Sequence, residues 1–139
     1  KEVKAAIERL EIIADTYLSV NTPAQNALPS WLLLKSQIQK EIMARLQENY
    51  SILKTLIKKA KACELLSLEG GWYAVLRLPR LKSDEEWAME FLQKDRVFVH
   101  PGYFFDFEKE GFIVISLLPR PVDFREGLSR ILQRVTKCL

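Results

Sequence analysis

His100 is the only histidine of the chain, and it stands beside Pro101 at the end of a β-branched and aromatic run. A catalytic imidazole needs a nucleophile or a carboxylate at short range. Spacing alone does not meet that need, so a structural or surface role is expected. Asp84, Glu85 and Glu86 form a carboxylate cluster directly after Ser83. They open a helical pattern, where negative charge suits the helix N-terminus, and capping is expected of them rather than acid–base work. Gly70-Gly71 is not a phosphate loop, because the Lys and Ser or Thr that complete one are missing and no dinucleotide fingerprint follows a strand. Cys63 and Cys138 are the only cysteines; without metal-ligand spacing or the density of a secreted scaffold they read as reduced thiols of a cytoplasmic protein. Lys54, Lys58, Lys59 and Lys61 crowd the end of a helical stripe, where cations suit the C-terminus and a solvated face is the plain reading. Tyr103, Phe104, Phe105 and Phe107 read as core and rim rather than as a base-stacking platform. By themselves these residues catalyse nothing.

The elements that must position them follow from periodicity. Val3, Ala6, Ile7, Leu10, Ile13, Ala14 and Tyr17 mark one face of a helix over about Glu2 to Ser19. Thr22 and Pro23 suit the N-cap and first position of a short helix to Leu28, Pro29 interrupts, and a new helix is expected from Ser30 to about Ala62. At ~1.5 Å per residue that helix would be roughly 48 Å long, more than a small domain needs. Strands are expected at Leu65 to Leu68, Trp72 to Leu78, Val97 to Val99 and Gly111 to Leu118. Between them Ser83 and Glu86 form a capping box for a helix that buries Trp87, Ala88, Phe91 and Leu92. Phe124, Leu128, Ile131, Leu132 and Val135 mark a last amphipathic helix.

The expected architecture is α+β: a small, mostly antiparallel sheet of three to four strands covered by helices, preceded by N-terminal helices and a long interdomain helix. The expected partition is 1–34 as the edge of a larger body, 35–62 as the interdomain helix and 63–139 as the small domain. A chain of 139 residues, 48% hydrophobic and 28% charged, can bury a sizeable core. A net charge of +3, interleaved with acids along the chain, is too weak a lean to imply nucleic acid. No apolar run reaches the roughly 18 residues of a membrane span, and no signal-peptide pattern is visible. Opening at Lys1 inside a helical pattern is what a piece of something longer would do.

Three segments resemble the C-terminal part of fold type I pyridoxal-phosphate-dependent aminotransferases of class I/II. The first is Ala14-Asp15-Thr16-Tyr17-Leu18-Ser19-Val20-Asn21-Thr22-Pro23-Ala24-Gln25, similar to the segment leading into the interdomain helix. The second, Glu69-Gly70-Gly71-Trp72-Tyr73-Ala74-Val75-Leu76-Arg77-Leu78-Pro79, is similar to the Gly-Gly-aromatic strand of the small domain. The third runs from Val97 through His100-Pro101-Gly102 and Phe104 to Phe112 and Ser116, similar to the Pro-Gly-x-x-Phe connection and final strand, with Phe124 to Leu132 as closing helix. The three stand in the family's order over nearly the whole chain.

The resemblance implies a biosynthetic transferase cut in two. The lysine that holds the cofactor, the Asp that pairs with its pyridine nitrogen and the ring that stacks on it would all lie upstream of Lys1. This chain would be inactive alone, with no catalytic residue, no metal and no pyridoxal phosphate of its own. The parent would act on amino acid and 2-oxo acid substrates as a homodimer. By position Gly71, Trp72 and Tyr73 would line the substrate side, Pro101 and Gly102 would shape its mouth, and Asn21 and Thr22 would lie near the partner subunit's site. Because side chains alternate along a strand, one of Trp72 and Tyr73 is expected to face the core. Val114 stands where the family commonly carries the Arg that grips the substrate carboxylate, a role suited to guanidinium geometry, and Arg120 is a candidate substitute. The reading of another class is a free-standing α+β module that binds protein or nucleic acid through the stripe of residues 3 to 17 and the Lys54 to Lys61 face. Left uncovered, that stripe favours self-association.

Overall fold

The computed structural model of the chain describes residues 2–17 and 20–139. It divides into two compact units, residues 1–39 and residues 40–139. In the first, α1 (Glu2–Thr16) carries Val3, Ile7, Leu10 and Ile13 at the expected spacing, and all four are exposed. The expected continuation to Ser19 lies outside the described residues.

α2 (Thr22–Ala60) begins in the first unit and continues into the second. Its N-cap is Asn21 rather than Thr22: Asn21 Oδ1 accepts from the Ala24 amide at 2.9 Å, the bond a short polar cap makes three residues on. Thr22 is therefore already helical. Nor does Pro29 separate two helices. It lies inside one continuous 39-residue element, because a single missing bond to the Gln25 carbonyl, at about 3 kcal/mol, falls near the exposed start of a helix whose remaining bonds propagate cooperatively.

In the second unit, β1 (Glu64–Leu65), β2 (Tyr73–Arg77), β3 (His100–Pro101) and β4 (Phe112–Ser116) form one antiparallel sheet in the order β1-β2-β4-β3. Ala74 opposes Ile115 and Leu76 opposes Ile113. These four point into the core, where they meet Leu46, Ile52 and Leu53 of α2, Trp87 of α3 (Asp84–Glu90), Phe91 just beyond it, and Phe124, Leu128, Ile131, Leu132 and Val135 of α4 (Pro121–Cys138). No helix among the described residues is long and apolar enough to cross a membrane. Lys54, Lys58, Lys59 and Lys61 are all exposed.

Several boundaries differ from expectation for local reasons. The strand expected at Val97 to Val99 pairs only at His100–Pro101. Upstream, α3 widens into a π-helical turn over Phe91–Asp95, Arg96 takes a left-handed φ of 57°, and the Val97 amide turns back to the Phe91 carbonyl at 3.0 Å. That widening shifts the helical phase, so Leu92, expected inside, is 40% exposed while Phe91 stacks on Trp87 at 5.5 Å. Pro101 does not stop the strand but belongs to it, on the sheet's edge, where a missing N–H costs no ladder bond. The first strand is also shorter than expected, although the Leu66 amide still reaches the Val75 carbonyl at 3.0 Å.

An ionic lattice binds the π-helical turn to α4. Arg134 donates to both carboxylate oxygens of Asp95, Nε at 2.5 Å and Nη2 at 2.7 Å. Glu90, whose side chain is only 12% exposed, is paired with Lys82 and Lys94 and lies 3.7 Å from Arg134. The hydrogen bonds from Lys82 and then Lys94 pull the Glu90 carboxyl down to about 2 from an ordinary 4.5. With the folded value depressed, this stabilisation is fully present above about pH 4.5 and is lost as the pH falls through about 2. Urea midpoints measured from pH 6 to pH 2 should fall across that window, and Glu90→Gln should flatten the decline. An identical slope in both proteins would exclude Glu90 as its source.

Candidate functional site

The sheet face opposite the core carries Tyr73, Val75 and Arg77 of β2, Phe112, Val114 and Ser116 of β4, and His100 of β3. Its entrance is the Gly70-Gly71 turn, where Gly71 takes a φ of +79°, a left-handed conformation that favours glycine. Both glycines are open to solvent. Trp72 follows before the strand begins, its carbonyl accepting from the Leu117 amide at 2.7 Å. Neither Trp72 nor Tyr73 faces the core, contrary to the alternation argument: they are 49% and 39% exposed, and the first inward residue is Ala74.

Rings gather here. Tyr73 lies edge-on to Phe105 at 5.6 Å and to His100 at 6.4 Å. His100 in turn contacts Phe98 at 4.9 Å, Phe105 at 6.0 Å and Phe104 at 6.1 Å. Tyr103 meets Phe104 at 4.9 Å. The role of His100 is thus packing within an aromatic cluster, and its Nδ1 is buried without a hydrogen-bond partner. Beneath it Val114, 1% exposed, stands opposite both Val75 and His100.

Pro101 and Gly102 are buried, contrary to an exposed lining. Gly102 opens a 3-10 turn over Gly102–Phe105. A Cβ at Gly102 would meet Asp84 Oδ2 at 2.7 Å, Phe112 Cβ at 2.8 Å and the Phe112 carbonyl at 3.0 Å. Gly102→Ala should therefore destabilise by about 1–3 kcal/mol through overpacking; a thermal melt unchanged from the parent sequence would show that the turn can back away. Arg120 precedes α4 and gives both its Nε, at 2.7 Å, and its Nη2, at 3.1 Å, to Asp123. With its side chain 72% exposed, it is a surface pair at a helix start. Asn21 caps α2, and Thr22 is exposed in that helix's first turn.

Two structural anchors of the site were not expected. Asp84, 2% exposed, is no mere capping acid: its Oδ1 accepts from the Gly111 amide at 2.5 Å and the Phe112 amide at 2.9 Å, and its Oδ2 from the Gly102 amide at 3.2 Å. Asn49, fully buried in α2, donates through Nδ2 to the Leu117 and Pro119 carbonyls, both at 2.8 Å. Ser83 and Glu86 already complete the capping box, and that completeness leaves Asp84 free for another task. Asn49 lies three residues after Leu46 and four before Leu53, on the buried stripe itself. Burial pushes the Cys63 thiol up to about 12, away from the thiolate form. No cluster of His, Cys, Asp or Glu among the described residues could hold a metal.

No protein-family model matches this chain, and no curated protein does. Solved structures do. A tyrosine aminotransferase from Leishmania infantum is similar at 22% identity and a TM-score of 0.73, covering 86% of this chain and 30% of its own. An aminotransferase from Escherichia coli is similar at 21% identity and a TM-score of 0.73, covering 97% and 35%. YbdL from Escherichia coli, described as having a methionine aminotransferase function, is similar at 22% identity and a TM-score of 0.68, covering 83% and 31%. The long helix, the four-stranded antiparallel sheet and the closing helix thus share the fold of these structures, and the chain spans about a third of their length.

Proposed function

We propose that this chain is the C-terminal, small-domain part of a pyridoxal-phosphate-dependent aminotransferase, the part that covers the substrate, and that it is inactive alone. The observation that carries this reading is the exposed aromatic edge of the sheet beside the Gly70-Gly71 turn. One side of the sheet is sealed by α2, α3 and α4, whereas the other presents Trp72 and Tyr73 beside the Gly70-Gly71 turn. A substrate-covering domain needs such an edge.

The chain's own residues do not fit the cofactor by themselves. Lys82 is the one described lysine that is not exposed, and its amine is paired with Glu90. The buried carboxylate Asp84 has both oxygens committed to backbone amides. The anchoring lysine would come from the remainder of the parent. In that parent Gly71, Trp72 and Tyr73 border the substrate, Pro101 and Gly102 shape the mouth of that site, Asn21 and Thr22 lie near the partner subunit's site of a homodimer, and Arg120 is available for a substrate carboxylate once it leaves Asp123. The parent would be a cytoplasmic enzyme taking amino acid and 2-oxo acid substrates.

Sequencing the reading frame upstream of Lys1 and assaying the whole protein for amine transfer tests this reading. A lysine-bearing large domain and measurable transfer are expected. Pyridoxal phosphate added to this chain alone should leave no Schiff-base absorbance after desalting; a stoichiometric band that survives would overturn the assignment of the lysine to the missing part. An Arg120→Ala parent with an unchanged Michaelis constant would remove Arg120 from the substrate site.

A further inference from the structure

We propose that residues 97–99 are a strap, the detached end of β3, poised to close on β4 by pairing Phe98 with Ser116, and that the ionic clamp on Asp95 sets how far it stays open. This goes beyond the aminotransferase reading and does not depend on it.

The phase of the strap already fits closure. Beyond His100 with Val114 and Pro101 with Ile113, the same antiparallel register would pair Val99 with Ile115 and Phe98 with Ser116. The side chains agree, since Val99 and Ile115 are both buried while Phe98 is exposed and Ser116 half-buried. Yet among the described residues Val97, Phe98 and Val99 make one backbone bond between them, from the Val97 amide to the Phe91 carbonyl. On the other bank, bonded pairs alternate along an antiparallel ladder, and the Leu117 amide bonds to the Trp72 carbonyl on the β2 side. The amide and carbonyl of Ser116 therefore point towards the strap. Between the banks lies a cavity of about 120 Å³, lined by Val97, Phe98, Val99, Ile115 and Ser116 and by Phe124 and Leu128 of α4.

The clamp lies just upstream. Arg130 donates to the Asp95 carbonyl at 2.9 Å, Arg134 donates to the Asp95 carboxylate at 2.7 Å, and Arg96 is kept at a φ of 57°, a conformation costly for a residue with a Cβ. Closure would exchange these restraints for two backbone bonds and a filled cavity, so two states compete. Phe98 meets the His100 ring edge-on at 4.9 Å, and the position of the strap is thereby passed to the aromatic edge of the sheet.

Amide hydrogen exchange on the full chain tests this. Asp95→Ala and Arg130→Ala should each raise the protection of the Phe98 and Ser116 amides by about tenfold as the clamp loosens, while the Leu76 and Ile113 amides keep theirs. Unchanged or lower protection at Phe98 and Ser116 in both folded variants overturns the proposal. A second measurement needs neither variant. Closure would bring the Phe98 and Ser116 Cα atoms to about 5.5 Å, within disulfide range, and would leave Phe98 and Leu118 out of register. Under mild oxidation Phe98→Cys with Ser116→Cys should cross-link at least about tenfold faster than Phe98→Cys with Leu118→Cys. Peptide mapping separates that bond from any to Cys63 or Cys138, the two native thiols. Equal rates mean a strap that wanders without register, and they overturn the proposal; where a loosened variant fails to fold, this ratio decides alone.

Discussion

Replacing Asp84 with Ala should lower the stability of residues 40–139 by about 3 kcal/mol or more, and the melting temperature by more than about 10 °C. The side chain is 2% exposed and its two oxygens collect three backbone amides, from Gly102, Gly111 and Phe112. Alanine would strand all three in a space that Gly102 has already made tight, since Asp84 Oδ2 sits where a Cβ at that position would go. Leaving buried donors unmade costs more than the mean worth of a hydrogen bond. Asp84→Asn should fall between the two, because its one oxygen can keep the Gly111 and Phe112 amides while its NH2 meets the Gly102 amide donor to donor. The effect would reach the aromatic edge as well: the three amides bracket the 102–112 connection that carries Phe104 and Phe105, so Tyr73 should lose its edge contact at Phe105. Urea denaturation followed by circular dichroism would measure the loss. A variant within about 1 kcal/mol of the parent would mean that water satisfies the amides and that Asp84 does not organise the turn.

The legibility of this molecule divides by the range of the forces involved. Local chemistry was readable. Ser83 and Glu86 form the capping box anticipated from their spacing, and the stripe Phe124, Leu128, Ile131, Leu132, Val135 is buried on α4 as its period required. The four-stranded antiparallel sheet could also be anticipated, because alternating apolar runs bounded by Gly and Pro have few other uses. Non-local pairing was less readable. Asp84 reads as a helix-dipole residue because its true partners lie 18 to 28 positions downstream. Pro29 reads as a break because its local cost is certain, whereas the cooperativity of a 39-residue helix is a property of the whole element. The aromatic string reads as core and rim, and the structure leaves Tyr103, Phe104 and Phe105 on the rim, each exposed. Beside the glycine turn Trp72 and Tyr73 are both exposed, and the expected inward turn of one of them fails because Trp72 precedes the strand.

Asn49→Leu, which keeps the branched outline of asparagine but is bulkier, should cost about 2–4 kcal/mol. The loss lies in two carbonyls, those of Leu117 and Pro119, that share the Asn49 amide at 2.8 Å each and would have no donor after the change. Part of the cost is offset, because Asn49 Oδ1 is itself buried without a partner and leucine removes it. Asn49→Asp separates the two contributions: both its oxygens would face carbonyls, acceptor against acceptor, and the variant should be less stable than Asn49→Leu at neutral pH. The tie matters for the aromatic edge because Leu117, one of the two residues Asn49 holds, donates its amide to the Trp72 carbonyl at 2.7 Å. A residue of α2 thereby helps to hold the backbone at Trp72. Amide hydrogen exchange should show Leu117 losing protection in both variants before the α4 amides do. Equal protection at Leu117 in Asn49→Leu and in the parent sequence would mean that the strand ladder alone holds the 117–119 turn, and that the long helix anchors the sheet only through the Leu46, Ile52 and Leu53 packing.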